Sequence, residues 1–187
     1  FSMGYFYSNG LKKENDQYVL QNKLQVPYYQ PLPKKLHNEN GDYDLSPSID
    51  GRFWNKMAFD KRPTSNIKNL DTRVVISEKN GKTELSFSVT GMKGVQVTIE
   101  LCFKEGGQLK GIESSTVVND NMFLENGEAR YEFNGDSITF GPGKTAHKKI
   151  DLLEGEKYSS HFGSLRTDGV HVYITGLTPF EHKLMMY

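Results

Sequence analysis

From Leu165 to His182 the sequence reads LRTDGVHVYITGLTPFEH, which gathers Arg166, Asp168, His171 and His182 in a chain with five histidines. Two kinds of chemistry are open to this stretch and its neighbours. His161, Arg166 and His171 could run acid–base catalysis on a polysaccharide or sugar ester, because an imidazole exchanges protons near neutral pH. His161, His171 and His182 could instead hold zinc or another transition metal if their segments meet, three imidazoles being a common ligand set. Spacing forces neither: the chain has no HExxH and no GxSxG. RTDG before an alternating run also reads as a tight turn into a strand, with Asp168 and Gly169 supplying the turn. The plainer expectation is therefore solvated or hydrogen-bonded strand histidines, with no catalytic residue, no metal and no cofactor.

Other residues invite chemistry less strongly. FGPGKTAH carries two glycines and a lysine, but its spacing is not GxxxxGK[ST] and it follows a β-meander instead of opening a helix. Gly141, Pro142 and Gly143 read better as a change of chain direction. Cys102 is the only cysteine, so no disulfide can form within the chain, and it reads as a half-buried filler on a strand. Aromatic residues cluster in the N-terminal third, and Tyr28, Tyr29 and Trp54 could form a platform that stacks on sugar rings. The alternative is that they fill the gap between an arm and the body.

The elements that would position these groups are β-strands. In TRVVISEKNGKTELSFSV two β-prone runs flank Asn80-Gly81, a pair suited to a two-residue hairpin turn. VQVTIELCF places Val95, Val97, Ile99, Leu101 and Phe103 on one face and Gln96, Thr98, Glu100 and Cys102 on the other. GVHVYITG likewise separates Val170, Val172 and Ile174 from His171, Tyr173 and Thr175, so His171 should face away from the core. Asn126-Gly127 and Asn134-Gly135 divide MFLE, EARYEF and DSITF into a meander, and FEHKLMMY closes the series. The pattern predicts an all-β fold, an antiparallel sandwich of about eight or more strands.

Residues 27–63 hold five of the seven prolines, and the sequence predicts two parts: an irregular, aromatic- and Pro-rich arm over 1–69, and a β-sandwich body over 70–187. A strand at YVLQNKLQV and a short helical turn near RFWNKMAF are the regular elements expected in the arm. With 23 basic and 23 acidic residues the formal charge is zero, which argues against nucleic acid or an anionic membrane as partner. No apolar run approaches the ~20 residues that span a bilayer. The opening FSMGYFYSNG has neither an initiator methionine nor a signal-peptide pattern, as expected of a processed chain or a segment of a longer one.

Three series, IELCFKEGGQLKGIE, MFLENGEARYEFNGDSITFGPGKTAH and HFGSLRTDGVHVYITGLTPFEHKL, together resemble the C-terminal β-sandwich of large bacterial proteins similar to heparinase-like polysaccharide lyases and related glycoside hydrolases. The resemblance covers roughly residues 70–187, and ITFGPG, HVYITG and TPFEH are its most distinctive strings. It implies a sandwich that follows an α/α-toroid of the same parent protein, where most catalytic residues of such enzymes lie. No catalytic signature transfers residue by residue. The function it suggests is a non-catalytic accessory or carbohydrate-recognition module in polysaccharide degradation, with a glycan as ligand and a periplasmic or extracellular location favoured. A small His-dependent enzyme and a protein-docking structural module are the alternatives.

Overall fold

The computed structural model of the chain describes residues 6, 8–40, 56–113, 116–118, 121–150, 159–160, 163–164 and 169–187. In chain order the strands are β1 (Leu11–Glu14), β2 (Gln17–Tyr29), β3 (Thr64–Lys79), β4 (Lys82–Gly91), β5 (Gln96–Phe103), β6 (Gln108–Lys110) and β7 (Val117–Val118). There follow β8 (Asn121–Phe123), β9 (Ala129–Phe133), β10 (Asp136–Gly141), β11 (Ser159–Ser160), β12 (Gly163–Ser164), β13 (Val170–Leu177) and β14 (Phe180–Met186). Two 3-10 turns, Lys34–Leu36 and Phe59–Lys61, are the helical elements with bounds of their own among the described residues. The fold is all-β.

Eight strands form one sheet in the order β1-β2-β3-β4-β14-β10-β9-β6, and four form a second in the order β5-β13-β8-β7; β11 and β12 pair by themselves. The local sequence explains much of this order. Asn80 and Gly81 take φ of 55° and 73°, Asn134 and Gly135 take 50° and 89°, and each pair closes a two-residue hairpin, β3–β4 and β9–β10 respectively. Asn126-Gly127 behaves differently from the expected meander turn. β8 lies in the second sheet and β9 in the first, so this segment carries the chain between layers, and β8 runs parallel to β13.

The chain divides into two compact units, residues 1–24 with 70–187, and residues 25–69. In the first, Val89, Tyr131, Phe140, Phe180 and Leu184 of the large sheet meet Ile99, Val172 and Ile174 of the second in one buried cluster. Every one of these positions lies on the alternating apolar face of its strand, which makes the unit a sandwich. Phe103 stacks on Tyr131 and Phe140 with centroids 4.8 and 4.9 Å away. The GPG segment changes sheets, as the direction-change reading expects. Gly143 N–H donates to Gly127 O at 2.8 Å, after which Lys144 O accepts from Thr175 N–H at 2.8 Å on β13. A Cβ on Gly143 would stand 2.3 Å from Leu124 O, so this close passage requires glycine.

In the second unit the described residues between Tyr29 and Thr64 contain no strand. Leu32 and Ala58 are buried apolar residues among those described, and the Tyr29 and Phe59 rings meet at 4.5 Å between centroids. Gln30 N–H donates to Pro63 O at 2.8 Å, and the Gln30 amide donates to Ser65 Oγ at 2.7 Å. The predicted strand at Tyr18–Val26 falls within β2, and most of the RFWNKMAF segment lies outside the described residues.

Candidate functional site

The antiparallel register of β5 and β13 sets His171 opposite Cys102 and Tyr173 opposite Glu100. Because the side-chain period of a strand is two, all four share the face opposite Val172 and Ile174. His171 Nδ1 and Glu100 Oε1 are 2.5 Å apart, and the Tyr173 hydroxyl donates to the same oxygen at 3.1 Å. His171 Nε2 stands 3.8 Å from Cys102 Sγ. An ionised carboxylate can only accept, so Nδ1 carries the proton toward Glu100 and Nε2 is left to face sulfur as an acceptor in the neutral ring. The result is a thiol, an imidazole and a carboxylate in line.

Tyr173 fixes the far end of this line. It is buried, and burial holds its phenol well above the ordinary tyrosine value, followed by the charge and hydrogen bond of Glu100 and then by Cys102. It therefore stays a proton donor. The side chains of His171 and Glu100 are about one-fifth exposed, at 20% and 19%, and Cys102 is exposed instead of half-buried.

His182 occupies a different environment. It shares its face of β14 with the buried Phe180 and Leu184, stacks near the Phe180 ring at 6.0 Å, and hydrogen-bonds the Pro142 carbonyl. Burial depresses its pKa, the nearby Lys144 cation adds to this, and the Pro142 bond opposes both. Its Nε2 is buried without a hydrogen-bond partner. His171 and His182 are thus not brought together: one lies on the outer face of the second sheet and the other on the core-facing side of the first. That corrects the metal alternative, which needs both in one place with His161. Cys102, His171 and Glu100 do not replace it, because sulfur and carboxylate sit at opposite ring nitrogens and cannot converge on an ion. Among the described residues no group of three or more His, Cys, Asp or Glu side chains could hold a metal.

His161, Arg166 and Trp54 lie outside the described residues. Tyr28 and Tyr29 lie at the end of β2 within the second unit, 63% and 37% exposed. In the first unit, Gly106, Gly107, Arg130, Asn134, Asp136 and Ser137 line a shallow polar hollow of about 410 Å³ beside the β9–β10 turn. Sequence reading missed Glu100 and Tyr173 as partners of His171. Their faces were readable from alternation, but the pairing of β5 with β13 joins segments about 70 residues apart and leaves no local signal.

No family model matches this chain, and neither does any curated protein or solved structure. No helix among the described residues is long and apolar enough to cross a membrane.

Proposed function

We propose that this chain is a non-catalytic β-sandwich module that recognises a carbohydrate and assists a polysaccharide-processing domain. The observation that carries this reading is Tyr28, 63% exposed near the end of β2. An aromatic ring carried on a strand loses little conformational freedom when it stacks on the apolar face of a sugar ring. Tyr29, next in sequence, contacts Phe59, which orders the same short stretch, and the Gln30 and Ser65 side chains supply hydroxyl-bonding groups nearby. The resemblance of residues 70–187 to sandwiches that accompany toroid enzymes supports the assisting role. Trp54 remains part of the proposed platform on sequence grounds.

The test is a glycan-array screen of the purified chain, run beside turnover assays on the same glycans. Binding without turnover is expected, and it should be lost in Tyr28→Ala while the thermal midpoint stays unchanged. Turnover that disappears in His171→Ala would replace this reading with a His-dependent enzyme. Silence in both assays would leave protein docking as the function.

A further inference from the structure

We infer that Cys102 is a reactive thiol, activated by His171 and Glu100, that exchanges with disulfides and carries a low-molecular-weight thiol as a mixed disulfide. This site lies on the outer face of the second sheet and does not depend on the carbohydrate reading.

Three observations carry it. The first is the line of groups: Glu100 Oε1 at 2.5 Å from His171 Nδ1, and His171 Nε2 at 3.8 Å from Cys102 Sγ. A base oriented by a third group and aimed at a nucleophile is the arrangement that activates thiols. The second is that the line is held. Tyr173 is buried and donates to the same carboxylate oxygen at 3.1 Å, so Glu100 cannot swing away from the imidazole without breaking two bonds. The third is access. Cys102 is exposed, and β5 stands at the end of the strand order of its sheet, so a co-reactant can reach the sulfur from solvent.

The surroundings select the reaction. Acyl transfer needs donors aimed at a developing oxyanion, and in a paired strand much of the backbone N–H is committed to the ladder. Disulfide exchange needs no such donors, only a thiolate and an open approach along the S–S axis. The proton of Cys102 passes to His171 Nε2, and the carboxylate of Glu100 stabilises the imidazolium. The thiolate then bonds to one sulfur of RS–SR, the old S–S bond breaks, and the departing RS⁻ takes the proton from His171 and leaves as RSH. The disulfide is the oxidant, so electrons balance. This chain has one cysteine, and no second thiol in it can displace the bound group. The adduct therefore persists until an external thiol removes it.

Oxidised glutathione is the probe, with the reduced full chain followed by intact mass. One glutathionyl group should add to the wild type and none to Cys102→Ser. Alkylation by iodoacetamide across about pH 5 to 9 then reads the activation itself. Near pH 5.5, where an ordinary thiol is almost fully protonated, the wild type should react about tenfold faster than His171→Ala, and the gap should close toward pH 9. Glu100→Gln should fall between them. If His171→Ala fails to fold, His171→Gln takes its place in the comparison. A merely structural histidine would leave the pH profile unmoved. Coincident profiles for wild type and variant, or no glutathionyl adduct on the wild type, overturn the inference.

Discussion

His171 and Glu100 are diagonal neighbours, not opposing ones. His171 faces Cys102 across the ladder and Glu100 faces Tyr173, yet the imidazole reaches the carboxylate at 2.5 Å. Diagonal side chains on a twisted antiparallel pair come within reach when both are long, which is how two strands make a chain of three groups from two facing pairs.

Removing the phenol hydroxyl tests how firmly that chain is anchored. Tyr173→Phe deletes one donor to Glu100 and leaves the ring in place. Unfolding in urea should show a loss of about 1–2 kcal/mol with the same dependence on denaturant. A variant as stable as the wild type would mean that the hydroxyl contributes nothing to holding Glu100.

His182 should make stability fall on acidification. Its folded pKa is lowered by burial, with Lys144 adding to the effect, whereas the unfolded chain takes up the proton near the ordinary value of about 6.5. Below that value the unfolded state binds more protons than the native one, so the contribution present at neutral pH declines as pH falls, and it levels off once the folded pKa is passed. One such group can impose a slope of at most about 1.4 kcal/mol per pH unit. Melting curves between about pH 7.5 and 5 should show a shallower decline in His182→Gln, and also in Lys144→Gln, where removing the cation raises the folded value toward the unfolded one. Equal slopes in all three proteins would refute this assignment.

Two glycines near the same hairpin should respond differently to a methyl group. At Gly107 a Cβ would stand 2.2 Å from the ring and hydroxyl of Tyr131 and 2.6 Å from Glu132 O, and Tyr131 cannot yield because it is buried and its hydroxyl donates to Lys104 O. Gly107→Ala should cost about 2 kcal/mol or more. At Gly135 nothing lies within 4 Å, and only the φ of 89° is at stake, so Gly135→Ala should cost about 1–2 kcal/mol. Thermal melts that rank the two variants the other way would contradict the packing described around Tyr131.

Periodicity and turn chemistry are local, and they carried most of the architecture. The Asn80-Gly81 and Asn134-Gly135 hairpins, the inward face of Val97, Ile99 and Leu101, and the outward direction of His171 are all legible in the sequence. Layer assignment was not. Asn126-Gly127 has the same composition as a hairpin turn, yet it joins β8 and β9 across the sandwich, because β8 finds its partner in β13, about 50 residues further on. The site failed to show for the same reason. Cys102 looked like filler because its imidazole neighbour lies 69 positions away, and only the register of β5 with β13 places it there.

The last two strands also bear on how the molecule is made. β13 lies between β5 and β8, and β14 lies between β4 and β10, so a single continuous stretch of 18 residues, 170–187, supplies an interior strand to each layer. A nascent polypeptide that has not reached residue 170 can close its local hairpins but neither layer, and it must leave the ladder edges of β4, β5, β8 and β10 unpaired. Such edges are templates for pairing with other chains. Assembly of the sandwich therefore waits for residues 170–187 to leave the ribosome.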